Sequence, residues 1–147
     1  MKRTVLFAAA FTLLIASAAP AEDKSVSIDF HFTATSPTTL EGTYTIAGAI
    51  NESGLAESTV GTRVNDDGVL LLYANKVLHL QSGDVDLFVE GPLTFTGDTT
   101  IAMIGKWRLT GGTGAYADIK GHGTASVVGD LATLTFSGAY QGKVNVK

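Results

Sequence analysis

The feature that most constrains the fold of this chain is an alternation of apolar and polar residues at every second position, punctuated by glycine. Val26, Ile28, Phe30 and Phe32 alternate with polar residues, which is the pattern of a half-buried β-strand. All 17 glycines lie after residue 41 and separate further runs of the same kind. No apolar stretch beyond residue 21 has helical spacing. The sequence therefore predicts an all-β fold with helices no longer than a single turn.

Turn signals divide this region into eight to ten short predicted strands, at residues 26–33, 40–50, 56–64, 69–74, 77–82, 85–89, 93–95, 100–110, 124–128 and 131–140. Many short strands of this kind form either a sandwich or a closed barrel. A barrel is favoured because closure removes edge strands, and these strands carry little of the charge or proline that protects an edge. Gly48 and Gly105 lie inside strand patterns, where glycine permits the bends that closure needs.

Residues 1–21 have the composition of a signal peptide. Lys2 and Arg3 precede an apolar run over residues 5–16, and Ala19-Pro20-Ala21 offers small residues at a cleavage site. The run is shorter than the ~20 residues that a membrane-spanning helix needs. We therefore expect cleavage after Ala21, a secreted or periplasmic location, and one domain over residues 22–147 without a membrane span.

Composition excludes several classes of function. The chain has no cysteine, which excludes disulfides, thiol catalysis and cysteine-bound zinc or iron–sulfur clusters. A formal net charge of −4 excludes a strongly basic surface for nucleic acid. The three histidines, His31, His79 and His122, have no metal-site spacing, so the sequence predicts neither a metal nor a cofactor.

No motif in the chain anchors a catalytic mechanism. A G-x-S-x-G nucleophile elbow is absent, and the G-x-G-x-x-A match that begins at Gly112 is followed by too short a segment for a nucleotide-binding helix. Polar and aromatic residues inside predicted strands are the better candidates for lining a cavity. The candidate ligand-binding residues are Asp29, His31, His79, Glu90, Trp107 and Arg108.

The most distinctive segment runs from Trp107 to Thr124 and reads WRLTGGTGAYADIKGHGT. It resembles the glycine-rich segment of the allene oxide cyclase and dirigent barrel superfamily, and residues 88–93 (FVEGPL) resemble the preceding strand of the cyclases. The resemblance implies an eight-stranded antiparallel, calycin-like barrel, trimeric in the plant families, with a cavity for an apolar small molecule. The segment is interpreted as structural, closing the barrel through Gly111, Gly112, Gly114, Tyr116 and Gly121, with positive φ or close backbone approach at its glycines.

Three functions are consistent with these observations. The first is an exported barrel that binds a small apolar ligand without turning it over. The second is a cyclase- or isomerase-like enzyme, which needs an inward carboxylate or histidine, for which Asp29, His31, His79 and Glu90 are candidates. The family's catalytic glutamate near the start of the chain has no ungapped match here. The third is a structural or surface-interaction protein whose barrel is filled by side chains.

Overall fold

The protein is described by a computed structural model, which places residues 23–146. The predicted signal segment lies outside the described residues. Eight strands follow one another along the chain: β1 Asp23–Ala34, β2 Thr39–Gly48, β3 Glu52–Val64, β4 Leu70–Leu80, β5 Gly83–Phe95, β6 Thr100–Gly112, β7 Lys120–Asp130 and β8 Thr135–Asn145.

Each strand pairs antiparallel with its neighbour in sequence, and β8 pairs with β1 to close the barrel. The predicted all-β fold and the eight-stranded antiparallel barrel are therefore confirmed. A single 3₁₀ turn over Gly114–Tyr116 interrupts the connection from β6 to β7. Within residues 23–146, no helix is long and apolar enough to cross a membrane.

Three predicted strand boundaries were wrong. Residues 69–74 and 77–82 form one strand, β4, and residues 85–89 and 93–95 form another, β5, in which Gly91 lies close to the backbone of β6. The last hairpin turns over residues 131–134 and not at Gly129-Asp130, with Leu134 in the left-handed region at φ 57°. Long strands result because a barrel pairs every backbone group around its circumference, which overrides local breaks in the pattern.

The core is the barrel interior, formed by every second residue of each strand. Trp107, Tyr44, Tyr140, Phe30 and Leu78 are its largest fully buried side chains. The indole nitrogen of Trp107 donates a hydrogen bond to the Gln141 carbonyl at 3.1 Å. The interior is thus apolar, and its few polar atoms have partners.

The two ends of the barrel differ. One end, which we call the mouth, carries the β1–β2, β3–β4, β5–β6 and β7–β8 connections. The other end, the Gly-rich end, carries the remaining connections, including the glycine-rich segment. There, Thr113 donates its backbone N–H to the Asp84 carbonyl and Ala115 donates to the Ser82 carbonyl, both at 2.9 Å. Tyr116 is half-buried against the core. The segment is therefore fastened to the β4–β5 turn.

The glycines of this segment are required for two different reasons. Gly114 has φ 58°, as predicted. Gly111 and Gly112 do not have positive φ. At Gly112 the constraint is space, because a Cβ would overlap the Tyr116 carbonyl oxygen and lie 2.9 Å from the Asp84 carbonyl oxygen. A Cβ at Gly121 would lie 2.8 Å from a Val144 methyl carbon.

Candidate functional site

A cavity of about 50 Å³ lies inside the half of the barrel nearest the mouth. Its wall is almost entirely apolar, and contains Phe30, Phe32, Leu40, Val60, Leu72, Tyr73, Ala74, Lys76, Val89, Met103, Val127, Phe136, Ser137, Gly138 and Tyr140. Several wall residues near the mouth, including Val60, Leu72 and Phe136, are only half-buried. An apolar cavity of about 150 Å³ holds benzene, so this one accepts only a small group or the end of a longer molecule.

Lys76 is the one charged side chain in this wall. It is 6% exposed, and Lys76 and Ser58 are the two buried polar residues in the described part of the chain. The Lys76 Nζ donates a hydrogen bond to the Ser58 Oγ at 3.2 Å. It also lies 4.4 Å from the ring centroid of Phe32 and 5.3 Å from that of Phe30. No carboxylate lines the cavity among the described residues, so the amine faces an apolar space without a counter-ion.

Burial lowers the pKa of Lys76 from its ordinary value of 10.5 to about 7. The cause is desolvation, because an ammonium group loses its hydration inside an apolar wall. The ring faces of Phe30 and Phe32 attract a cation, by about 2 kcal/mol for a desolvated contact, and so oppose this penalty in part. The site therefore holds an amine that is substantially uncharged near neutral pH.

Exposed apolar side chains form the rim of the mouth, and carboxylate side chains surround that rim. Val64 and Phe95 are 63% and 62% exposed, and Val69, Leu131 and Leu134 are also exposed at this end. Carboxylates surround the rim at Asp66, Asp67, Asp98 and Asp130, and the described mouth connections contain no lysine or arginine. A negative field at the mouth disfavours the approach of anions.

Most of the candidate residues lie on the outer surface and do not line this cavity: Asp29, His31, His79, Glu90 and Arg108. The His31 Nδ1 lies 3.2 Å from the Ser137 Oγ, and the Arg108 guanidinium stacks 4.6 Å from the Phe88 ring centroid. Trp107 alone among the candidates points into the interior, where it packs in the core away from the cavity. A ligand-binding role for these residues stays a prediction, and it would apply to a ligand that binds outside the cavity.

Two of these outward residues take part in ion pairs. The His79 Nδ1 lies 3.0 Å from the Asp84 Oδ1, and that hydrogen bond is the main reason that the pKa of His79 is raised. Glu90 accepts two hydrogen bonds from Arg63, at 2.6 and 2.9 Å. The Arg63 guanidinium lowers the pKa of Glu90. The His79–Asp84 pair links the neighbouring strands β4 and β5, whereas the Arg63–Glu90 pair spans from β3 to β5 across β4.

Lys76 is not among the residues predicted for the site, because one predicted strand ended at residue 74 and the next began at residue 77. As one continuous strand, β4 has Ala74, Lys76, Leu78 and Leu80 on the same face, and all four are buried. The same alternation turns His79 outward. A lysine in phase with the apolar residues of a long strand was therefore the signal that could have identified the site.

Within residues 23–146, no three His, Asp or Glu side chains are grouped so that they could hold a metal ion. The fold and the site together define a closed eight-stranded barrel with a buried lysine facing a small apolar cavity. Comparisons with protein-family models, with curated proteins and with solved structures give no match to this chain.

Proposed function

We propose that this protein is an exported binding module that holds a small, uncharged, mainly apolar molecule in the barrel against Lys76. The observation that carries the proposal is the almost entirely apolar cavity whose wall includes one charged side chain, the buried Lys76. Small-molecule sites have this composition, in which apolar walls supply affinity and a few polar groups fix orientation. The ligand class implied by the resemblance to the allene oxide cyclase and dirigent barrels agrees with it.

The charges of the site define the ligand further. A cation finds no counter-ion inside, because no carboxylate faces the cavity from the described residues. An anion is repelled by Asp66, Asp67, Asp98 and Asp130 around the mouth. An uncharged molecule with one hydrogen-bonding group meets neither obstacle. Its small polar end would occupy the 50 Å³ cavity, and an apolar tail would cover the exposed Val64 and Phe95 at the rim.

The same proposal includes export, which is supported by the signal-peptide composition of residues 1–21. It also includes assembly into a trimer, which is supported by the family resemblance. A cyclase-like reaction receives no comparable support. Asp29, His31, His79 and Glu90, the residues proposed for it, face outward.

The test is binding of straight-chain alcohols, from propan-1-ol to octan-1-ol, measured by methyl NMR shifts of Val60 and Leu72. Ala74→Val enlarges a buried side chain of the cavity wall, whereas Ala139→Val makes the same change on the exposed face of β8. We expect saturable shifts in the unaltered protein and in Ala139→Val, and at least roughly tenfold weaker binding in Ala74→Val, equivalent to ~1.4 kcal/mol. The filled-barrel alternative would be supported if the unaltered protein showed no shifts. It would also be supported if Ala74→Val and Ala139→Val showed equal shifts.

A further inference from the structure

We propose that Lys76 captures small aldehydes and ketones covalently, as an imine on its Nζ. The proposal rests on the proposed function, because the carbonyl compound must first occupy the cavity. It deepens that function by naming the ligand class. Two observations support it. Lys76, which has a nucleophilic Nζ, lines an apolar cavity, and the Nζ is hydrogen-bonded to the Ser58 hydroxyl group.

The environment leaves the Lys76 nitrogen available for reaction. Its hydrogen bond to the Ser58 Oγ, at 3.2 Å, is the only side-chain hydrogen bond that it makes among the described residues, and no carboxylate holds it in an ion pair. The two ring faces of Phe30 and Phe32 lie to one side of it. A lysine tied to a carboxylate would be held as an ammonium ion without a lone pair. Lys76 has no such restraint.

The protonation state also favours attack. Desolvation lowers the pKa of Lys76 to about 7, so a large fraction is the free amine at neutral pH. Desolvated lysines are the residues that form Schiff bases in proteins. The other titratable residues in the cavity wall are Tyr73 and Tyr140, and burial raises the pKa of Tyr140. With its pKa raised, Tyr140 stays uncharged at neutral pH and supplies no negative charge that would restore the ammonium form.

The reaction balances with water as its only by-product. The Nζ lone pair forms a bond to the carbonyl carbon, the C=O π pair moves to oxygen, and that oxygen takes a proton as the nitrogen loses one. The resulting carbinolamine loses its protonated hydroxyl group as water while the nitrogen lone pair forms the C=N bond. Loss of the remaining N–H proton then gives the neutral imine and returns the proton that was used to release water. The Ser58 hydroxyl lies within hydrogen-bond distance of Nζ and can accept the proton that the nitrogen loses.

The experiment treats the protein with propanal or hexanal at pH 7 in the presence of cyanoborohydride, which reduces an imine to a stable secondary amine. Intact-mass and peptide-mapping mass spectrometry then locate the adduct. The N-terminal α-amine, with an ordinary pKa of ~7.7–8.0, also reacts at this pH, and peptide mapping separates its adduct. Among side chains we expect one adduct, on Lys76, formed at least roughly tenfold faster than on exposed lysines, because an ordinary lysine amine, with a pKa of ~10.4, is almost fully protonated. Lys76→Met should lose this adduct, and Lys106→Met, an exposed control on β6, should keep it.

Ser58→Ala should slow adduct formation at Lys76 without redirecting it to another lysine. Peptide mapping of the unaltered protein gives the site even if a variant fails to fold. Equal labelling of Lys76 and exposed lysines would overturn the proposal. Hexan-1-ol, which cannot form an imine, separates the two ideas: binding of the alcohol without an aldehyde adduct overturns imine capture alone, and failure of both overturns the proposed function as well.

Discussion

The amine nitrogen of Lys76 lies 3.2 Å from the hydroxyl oxygen of Ser58, and the two residues are cross-strand partners on β4 and β3. Both side chains point into the barrel, where they are 6% and 3% exposed. The pair places one amine in the wall of an almost entirely apolar cavity, with the Ser58 hydroxyl buried beside it. Such a buried amine opposes folding when it is charged, so its presence is better explained by function than by stability.

Replacing Lys76 with methionine should stabilise the protein. Methionine fills a similar volume without a group that must lose its hydration, and it packs well against the Phe30 and Phe32 rings. We expect an increase in the free energy of unfolding of about 1–3 kcal/mol at pH 7, measured by urea denaturation. Lys106→Met on the exposed face is the control and should change stability little. A less stable Lys76→Met protein would show that the amine contributes to the core.

The stability of the unaltered protein should increase between about pH 7 and about pH 10. Over this range the unfolded chain protonates Lys76, whose ordinary pKa is 10.5, whereas the folded protein, with a pKa of about 7, does not. The unfolded state therefore binds more protons, and the free energy of unfolding increases with pH. Above this range the trend should reverse, because burial raises the pKa of Tyr44 to about 12 and the folded protein retains that proton.

Thermal unfolding across this pH range checks the prediction. The increase should disappear in Lys76→Met, since that variant has no amine to titrate in the barrel. The same slope in both proteins would assign the effect to other groups.

A side chain at Gly112 should disrupt the Gly-rich end, and one at Gly111 should not. A Cβ at Gly112 would overlap the Tyr116 carbonyl oxygen, whereas a Cβ at Gly111 would meet only the flexible Asp86 carboxylate, at 3.4 Å. We expect Gly112→Ala to lower the free energy of unfolding by at least ~2 kcal/mol, and Gly111→Ala to change it by under ~1 kcal/mol. Gly112→Val should be more damaging than Gly112→Ala. Equal effects of alanine at the two positions would contradict the close approach to Tyr116.

The pKa of His79 should fall when Asp84 is replaced by asparagine. The hydrogen bond that His79 donates to the Asp84 carboxylate is the largest cause of the raised pKa of His79. The pair stabilises the fold below the ordinary histidine pKa of 6.5, and its contribution is lost as the pH rises through the folded value. NMR titration of the His79 ring measures the change. An unchanged His79 pKa in Asp84→Asn would show that this ion pair does not persist in solution.

Glu90→Gln should weaken the fold slightly and leave cavity binding unchanged. Glu90 accepts two hydrogen bonds from Arg63 on the outer surface, where water and salt screen the charges. The contribution of the pair should be lost as the pH falls below the ordinary glutamate pKa of 4.5, since Arg63 lowers the pKa of Glu90. Alcohol binding that falls in Glu90→Gln would indicate that this residue contributes to the site after all.

The fold was largely predictable because the alternation of Val26, Ile28, Phe30 and Phe32 specifies one buried face, and the lack of edge protection favours closure. Strand ends were less predictable. Asn75-Lys76 and Gly91-Pro92 look like breaks in a local pattern, but pairing keeps them extended, with both neighbouring strands for Asn75-Lys76 and with β4 for Gly91-Pro92.

The residues that line the cavity were not predicted from the sequence, because the candidates were residue types that are common in active sites. His79 and Glu90 were selected for their chemistry, whereas the phase of the alternation decides whether a side chain faces the cavity. Lys76 lies on the inward face of β4. Its candidate role depends on its burial in the barrel, and the extent of that burial is given by the structure and not by the sequence.

The most direct test is an NMR titration of the Lys76 side-chain carbon next to the amine, in protein labelled with ¹³C at that position of lysine. The Lys76→Met variant assigns the resonance. We predict a titration midpoint of about 7 and a shift of this resonance when hexan-1-ol is added, because the amine faces an apolar cavity that the alcohol can occupy. A midpoint near the ordinary 10.5, with no response to the alcohol, would contradict a buried, accessible amine in the barrel.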